Sequence, residues 1–337
     1  MARRSIALRG AMKFFVTRLP AALFLGACLY LASGIAAYCQ PWPARPVTVV
    51  FSFPPGGSGD LVARRFAEFA SKQLGQPVIV ENRAGGGGIV AAVAVSKAAP
   101  DGYTLMINAN GPMVLRPLLD AAVGYDAVTS FTPVGLIGGS PVVIMGGAKF
   151  EARSPAEMFE WARKNPGLMT VGHPGLGTVG HLAALLLASK SGTTANYIAY
   201  RDYNQIVPDL LGGQIDVGAA AYTPQYKATR ILAVVTPEPV EFLPGVPSMR
   251  EAGFPGVDAS TWWALYGPPN LPPDIVAKLN AVLNDYLSSA ETRSQMAVIG
   301  FRLLGGPPEA VVKKIGEERA VWSKVIEAAN IKLSESK

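Results

Sequence analysis

Val47-Thr48-Val49-Val50-Phe51-Ser52-Phe53-Pro54-Pro55-Gly56-Gly57-Ser58-Gly59-Asp60 is a nearly unbroken apolar run followed by a glycine-rich turn. Such a run, rich in β-branched residues, suits a strand buried on both faces of a parallel sheet. Past the turn, Val62, Phe66, Phe69 and Ala70 recur at helical spacing. The stretch therefore predicts strand, turn and helix in direct succession. Ser58 is a good N-cap, and Asp60 stands where the positive end of a helix favours an acid. The same two residues also suit a ligand loop, with glycine amides and the Ser58 hydroxyl facing ligand oxygens while Asp60 points into a cleft. Both readings of Ser58 and Asp60 stay open at this level.

The pattern repeats outward along the chain. Strands are expected at 77–81 and 103–108, with the flexible turn Gly85-Gly86-Gly87-Gly88 between them. A second series runs from a strand at 168–171 through a glycine-rich turn to a helix at 181–189. It continues with a strand at 196–200, a helix before Gly212-Gly213 and a strand beginning at Ile215. Alternation of this sort makes a parallel α/β sheet, and two series imply two Rossmann-like lobes. The carboxyl-terminal third reads as helical. Ile275, Leu279, Val282, Leu283 and Tyr286 mark one amphipathic face, and Val311, Ile315, Trp322, Val325 and Ile326 another. Trp262-Trp263 reads as packing near a hinge.

The first forty residues differ from the rest. Arg3, Arg4, Arg9, Lys13 and Arg18 precede an apolar run from Ala21 to Ala37, with no acidic residue before position 41. A basic start, an apolar middle and small residues near Ala36-Ala37 describe a secretory signal over 1–40. The competing readings are a retained membrane anchor, since the run approaches a bilayer span, and a lipoprotein anchored at Cys28. Arg3-Arg4 is a weak twin-arginine match. Without the leader, 25 basic residues face 24 acidic ones. The high isoelectric point then belongs to targeting, and nucleic-acid binding loses its electrostatic support. Both cysteines, Cys28 and Cys39, lie in or beside the leader, which leaves no disulfide framework and no thiolate metal site.

Catalytic residue types are scarce. The chain has two histidines, His173 and His181, and lacks the serine-hydrolase, zinc-protease and P-loop motifs. No cofactor or metal is expected. Gly175-Leu176-Gly177-Thr178-Val179-Gly180 is a formal G-x-G-x-x-G, with Asp202 about twenty residues further on, and it supports the alternative of a nicotinamide-dependent enzyme. The physics shared by both readings is that glycines let backbone N–H groups at a helix N-terminus approach an anion, and a carboxylate fits there as well as a pyrophosphate. Asn108 and Asn110 close the strand at 103–108, where open α/β sheets place ligand contacts. Thr178 and His181 begin the second-series helix, and Tyr200, Arg201 and Asp202 leave the next strand.

Several segments together resemble one family. Pro43-Ala44-Arg45-Pro46-Val47 leading into Phe53 through Asp60, Leu74-Gly75-Gln76-Pro77-Val78 through Glu81-Asn82-Arg83, and Pro100-Asp101-Gly102-Tyr103-Thr104-Leu105 are three of them. Gly177-Thr178 with His181-Leu182-Ala183, Asp209-Leu210-Leu211-Gly212-Gly213-Gln214-Ile215-Asp216, and Pro244-Gly245-Val246-Pro247-Ser248 with Glu251 through Gly256 are the others. The set resembles the substrate receptors of tripartite tricarboxylate transporters, also called Bug receptors, over essentially the whole chain past the leader.

The resemblance implies a two-lobed periplasmic-binding-protein (Venus-flytrap) α/β fold with a ligand cleft between lobes. Lobe 1 would span 41–143 plus 262–337, and lobe 2 would span 144–261. It implies a monomeric, non-enzymatic periplasmic receptor for a small carboxylate or amino-acid ligand, working with a membrane permease or a sensor kinase. Carried over, Phe53, Gly57, Ser58 and Asp60 form the first-lobe loop, joined by Asn108 and Asn110. Gly177, Thr178, His181, Tyr200 and Asp202 form the second-lobe loops. The chain departs from the family pattern at Ser58-Gly59, where Pro-Thr is usual, and at Arg201-Asp202, where Lys-Gly is usual. The stretch from Asp216 to Ile231 is also a few residues short. These departures bear on ligand identity more than on fold.

Overall fold

The computed structural model describes residues 41–201 and 203–328. The leader with Cys28 and Cys39, and Asp202, lie outside the described residues. Strand β1 (Val47–Phe51) forms where the apolar run predicts it. It pairs in parallel with β2 (Val78–Asn82) on one side and β3 (Thr104–Ala109) on the other. Helix α1 (Ser58–Leu74) connects β1 to β2. It buries Val62, Phe66, Ala70 and Leu74, one residue every fourth position, against the sheet. Full burial of each large side chain contributes about 1.5–3 kcal/mol. Gly75 ends the helix in the left-handed region, φ 69°, with its N–H bonded to Ser71 O. Helix α2 (Ile89–Ser96) leads into β3, and a short α3 (Arg116–Leu119) follows it.

The next element departs from the sequence reading. β4 (Thr132–Gly146) is a 15-residue strand. Helix α4 (Pro155–Lys164) follows, and then the second α/β series appears: β5 (Thr170–His173), α5 (Val179–Ser191), β6 (Asn196–Ala199), α6 (Ile206–Gly212) and β7 (Val217–Ala221). β5 pairs in parallel with both β6 and β7. β8 (Arg230–Val234) returns antiparallel to β4. β9 (Ser260–Gly267) interrupts the stretch read as helical, and only after it come α7 (Pro273–Ser288), α8 (Ala290–Val298), β10 (Arg302–Leu303) and α9 (Pro308–Ala328).

Strands β4 and β9 join the two series. The strand order is β2-β1-β3-β9-β4-β7-β5-β6, with β8 and β10 also on β4. Residues 132–141 of β4 pair with β9, whereas residues 142–146 pair with β7 and β8. The chain thus changes partners between Pro141 and Val142. On the neighbouring strand the same change falls at Ala259, whose N–H bonds Val235 O while its carbonyl accepts from Val142 N–H. Two α/β halves are therefore strung on two antiparallel strands. Among the described residues no helix is long and apolar enough to cross a membrane.

Candidate ligand cleft

The ends of α1 and α5 are built differently. Gly57 caps α1 in extended conformation and makes no side-chain bond to it, and Ser58 is the first helical residue rather than the cap. The reason lies in Asp60. Its carboxylate accepts from Gly56 N–H at 3.0 Å, Arg64 Nε at 2.9 Å and Asn82 Nδ2 at 2.8 Å. The acid folds the 56–60 loop back onto the helix, so its buried side chain is committed to the loop's own geometry. The amides of Ser58, Gly59 and Asp60 fall in the first turn, where a helix has no intrahelical acceptors.

In α5 the cap is Thr178. Its hydroxyl accepts from His181 N–H and donates to Gly175 O. His181 Nδ1 accepts from Gly177 N–H at 3.2 Å, and His173 Nδ1–H donates to Gly175 O at 3.0 Å. The two rings stack with centroids 4.3 Å apart. Burial drives the His173 pKa down to about 4. Burial, then the neighbouring His173, then Arg116 drive His181 down to about 3. Both rings are therefore neutral near pH 7 and shape the loop, His173 by donating to its carbonyl and His181 by accepting from its amide. A pyrophosphate on this glycine loop would need the Gly177 amide that His181 already occupies. Gly180 is small for a packing reason, since a Cβ there would lie 2.3 Å from Ala219 O.

The two N-termini border one small cavity of about 60 Å³. Four of the candidate residues, Phe53, Gly57, Ser58 and Thr178, line it. The other candidates sit elsewhere. Asn108 is buried, donating to Gly88 O and accepting from Ala109 N–H. Asn110 donates to Ser260 O and to Glu318. Gly177 backs onto Arg116, and His181 lies beneath the loop. Tyr200 donates its hydroxyl to Asp209 at 2.6 Å.

Several lining residues escape the sequence reading, among them Tyr203, Ala220, Thr223, Thr261 and Trp263. Ala220 comes from the carboxyl end of a parallel strand, a signal that was available. Trp263 had one as well. Alternation along β9 turns Trp262 and Trp263 to opposite faces, and Trp262 Nε1 donates to Glu318 Oε1 at 2.6 Å. Trp263 instead borders the cavity, and its buried Nε1 has no partner. No charged side chain lines the cavity among the described residues.

The two halves meet over the cavity. Tyr203 donates its hydroxyl to Pro54 O at 2.8 Å, and Asn204 Nδ2 donates to Pro55 O at 3.0 Å. Gly87 packs on the 175–176 backbone so closely that an added Cβ would stand 2.9 Å from Leu176 O. The cleft is shut. Its chemistry is that of a binding site: walls of Phe51, Phe53, Pro112, Pro174 and Tyr226 around hydroxyls and two helix N-termini. Each N-terminus carries roughly half a positive charge.

The family model described as "Tripartite tricarboxylate transporter family receptor" matches residues 62–331. A UPF0065 protein from the tcbD-tcbE intergenic region of Pseudomonas sp. strain P51 is 35% identical, covering 85% of this chain and 86% of the relative. Protein BugT of Bordetella pertussis is 31% identical over 89% and 95% of the two chains. Among solved structures, R. palustris Rpa4515 with adipate is 31% identical with TM-score 0.83, covering 86% of this chain and 99% of that one. MatC from Rhodopseudomonas palustris with bound malate is 29% identical with TM-score 0.80, covering 85% and 100%.

Proposed function

Because the chain belongs to the tripartite tricarboxylate transporter receptor family, we propose that it is a periplasmic receptor whose two lobes close on a small carboxylate. The observation that carries this reading is the convergence of the α1 and α5 N-termini on one apolar-walled cavity spanned by Tyr203 and Asn204. Oriented amides favour an anion in such a place and offer little to a neutral sugar. The solved structures with adipate and malate support the same ligand class.

In this reading Phe53, Gly57, Ser58 and Thr178 touch the ligand. Asp60, Gly177 and His181 hold the loops that present it, and Asn108, Asn110 and Tyr200 brace the surrounding strands. Lobe 1 comprises 41–143 with 262–337, lobe 2 comprises 144–261, and β4 and β9 act as the hinge. The protein binds without turnover, as a monomer, and delivers its ligand to a membrane permease or a sensor.

A thermal-shift screen with malate, adipate and neutral sugars tests the reading. A ligand specific for the folded state adds RT ln(1 + [L]/Kd), about 2.7 kcal/mol at a hundredfold excess over Kd. In a chain of this size the melting temperature should rise by roughly 5 °C or more. Sugars that shift the melt where no acid does would sink the carboxylate assignment.

The leader is read as an export signal that is removed. Intact-mass measurement of protein recovered from the periplasm should show a chain beginning near residue 38. A full-length mass would rule out cleavage, and a lipid-modified mass beginning at Cys28 would replace it with anchoring.

A further inference from the structure

We propose that Trp263 is a ligand-binding residue whose indole N–H donates to the carboxylate seated at the N-terminus of α1. This assignment rests on the carboxylate reading of the cleft and goes beyond it by naming the side chain that reads the anion. Trp263 is 5% exposed and lines the cavity, and its Nε1 is buried without a partner. A buried donor left without an acceptor is costly, so an unpaired one facing a cavity points to an acceptor that arrives from outside the chain.

The position of the nitrogen says where that acceptor sits. A Cβ built on Gly59 would stand 2.7 Å from both Nε1 and Cε2 of Trp263. The nitrogen-bearing edge of the ring therefore lies against the second residue of α1. The first-turn amides of Ser58 and Gly59 and the buried Ser58 hydroxyl are at the same place. A carboxylate there has two oxygens to satisfy, and Ser58, Gly59 and Trp263 all line the same cavity.

The ring is held for the task. Trp263 stacks on Phe301 with centroids 5.5 Å apart and planes 29° apart. Its backbone is paired on both sides, with Ala109 of β3 and Gly138 of β4. Trp262 supplies an internal comparison. One residue earlier on the strand, its indole N–H meets the carboxylate of Glu318. Two adjacent indoles on opposite faces thus serve two carboxylates, one from the protein and one from the ligand. Glycine at 59 fits the same account, because any side chain there would push the indole away from the helix end.

The experiment pairs Trp263→Phe with 15N labelling of the indoles, using malate and adipate as probes. Phenylalanine keeps an aromatic ring beside Phe301 but removes the donor together with part of the indole's packing surface, so the wild-type indole resonance is read beside the affinity. Loss of one hydrogen bond to a charged acceptor should weaken the better probe by about 10- to 100-fold in titration calorimetry. In the wild type that acid should move one indole Nε1–H resonance downfield, and the same resonance should be missing from Trp263→Phe. A merely structural tryptophan would not produce that shift. An unmoved indole on saturation, or a Trp263→Phe affinity within twofold of wild type, would overturn the assignment and leave the carboxylate reading intact. A wild type that bound no acid would overturn both. Should Trp263→Phe fail to fold, the wild-type resonance decides by itself, its assignment taken from Trp262→Phe and backbone correlation.

Discussion

Gly57→Val should abolish tight ligand binding while leaving a folded protein. Gly57 has φ −78° and ψ 169°, a backbone conformation open to any residue, so valine meets no local strain. The obstacle comes from the facing half of the molecule. A Cβ at 57 would lie 2.1 Å from the Tyr203 hydroxyl and 2.6 Å from the ring carbon that bears it. That hydroxyl is held by Pro54 O, and the ring is 9% exposed among the residues around β7. Closure over valine must therefore displace Tyr203 or hold the 54–57 loop away from it. Overpacking of this kind costs about 1–3 kcal/mol, and the broken hydrogen bond adds about 1 kcal/mol. Affinity for the best acid should fall between about 30- and 1,000-fold. Because the clash exists only when the halves meet, the unliganded melting temperature should change little. Adding Tyr203→Ala should restore part of the lost affinity by making room. Wild-type affinity in Gly57→Val would show that the loop and Tyr203 do not meet in the liganded protein.

Stability should fall steeply between pH 6.5 and 4.5 because of the histidine pair. An unfolded histidine takes up a proton near 6.5. In the folded chain His173 stays neutral down to about 4 and His181 down to about 3. Both folded values are depressed, so the unfolded state binds more protons throughout this window and stability drops as pH falls. The contribution is complete above 6.5 and is lost progressively toward the folded values. Each pH unit is worth about 1.4 kcal/mol per group, so the pair should cost on the order of 4 kcal/mol by pH 4.5.

Two carboxylates act in the opposite sense. Partial desolvation raises the pKa of half-buried Glu318 and of the more exposed Asp258, so each favours the folded state as the pH drops. The readout is accordingly a difference: urea midpoints of the wild type against His173→Gln/His181→Gln at pH 7, 5.5 and 4.5. Glutamine keeps an acceptor for Gly177 N–H yet cannot titrate, and the double variant should show a much flatter decline. Parallel declines in the two proteins would refute the assignment.

The same two histidines show how far sequence reading reaches. Their positions on either side of a glycine-rich loop are visible in the sequence, as is the helix that follows. Their stacking, and the bonds of each Nδ1 to a glycine of the loop, depend on β5 and α5 meeting at one angle. Asp60 teaches the same lesson. Its placement in a first helical turn is a matter of spacing, whereas two of its three donors, Gly56 and Asn82, are brought to it by a turn and by a neighbouring strand.

By itself the sequence determined the alternation of strands and helices, the two series and the glycine loops that end at helix N-termini. These follow from hydrophobic period and backbone preference, properties of adjacent residues. Tertiary structure alone decided that β4 runs through both halves, with β9 antiparallel beside its first ten residues. Both strands are buried along nearly their whole length, so their composition carries no alternation to mark a face. It decided too that Trp263 looks into the cavity while Trp262 looks at Glu318. Period two says that neighbours on a strand face opposite ways, but which face holds a ligand is set by strand order. That order is fixed by contacts between residues more than a hundred positions apart, such as Gly138 with Trp263 and Pro54 with Tyr203.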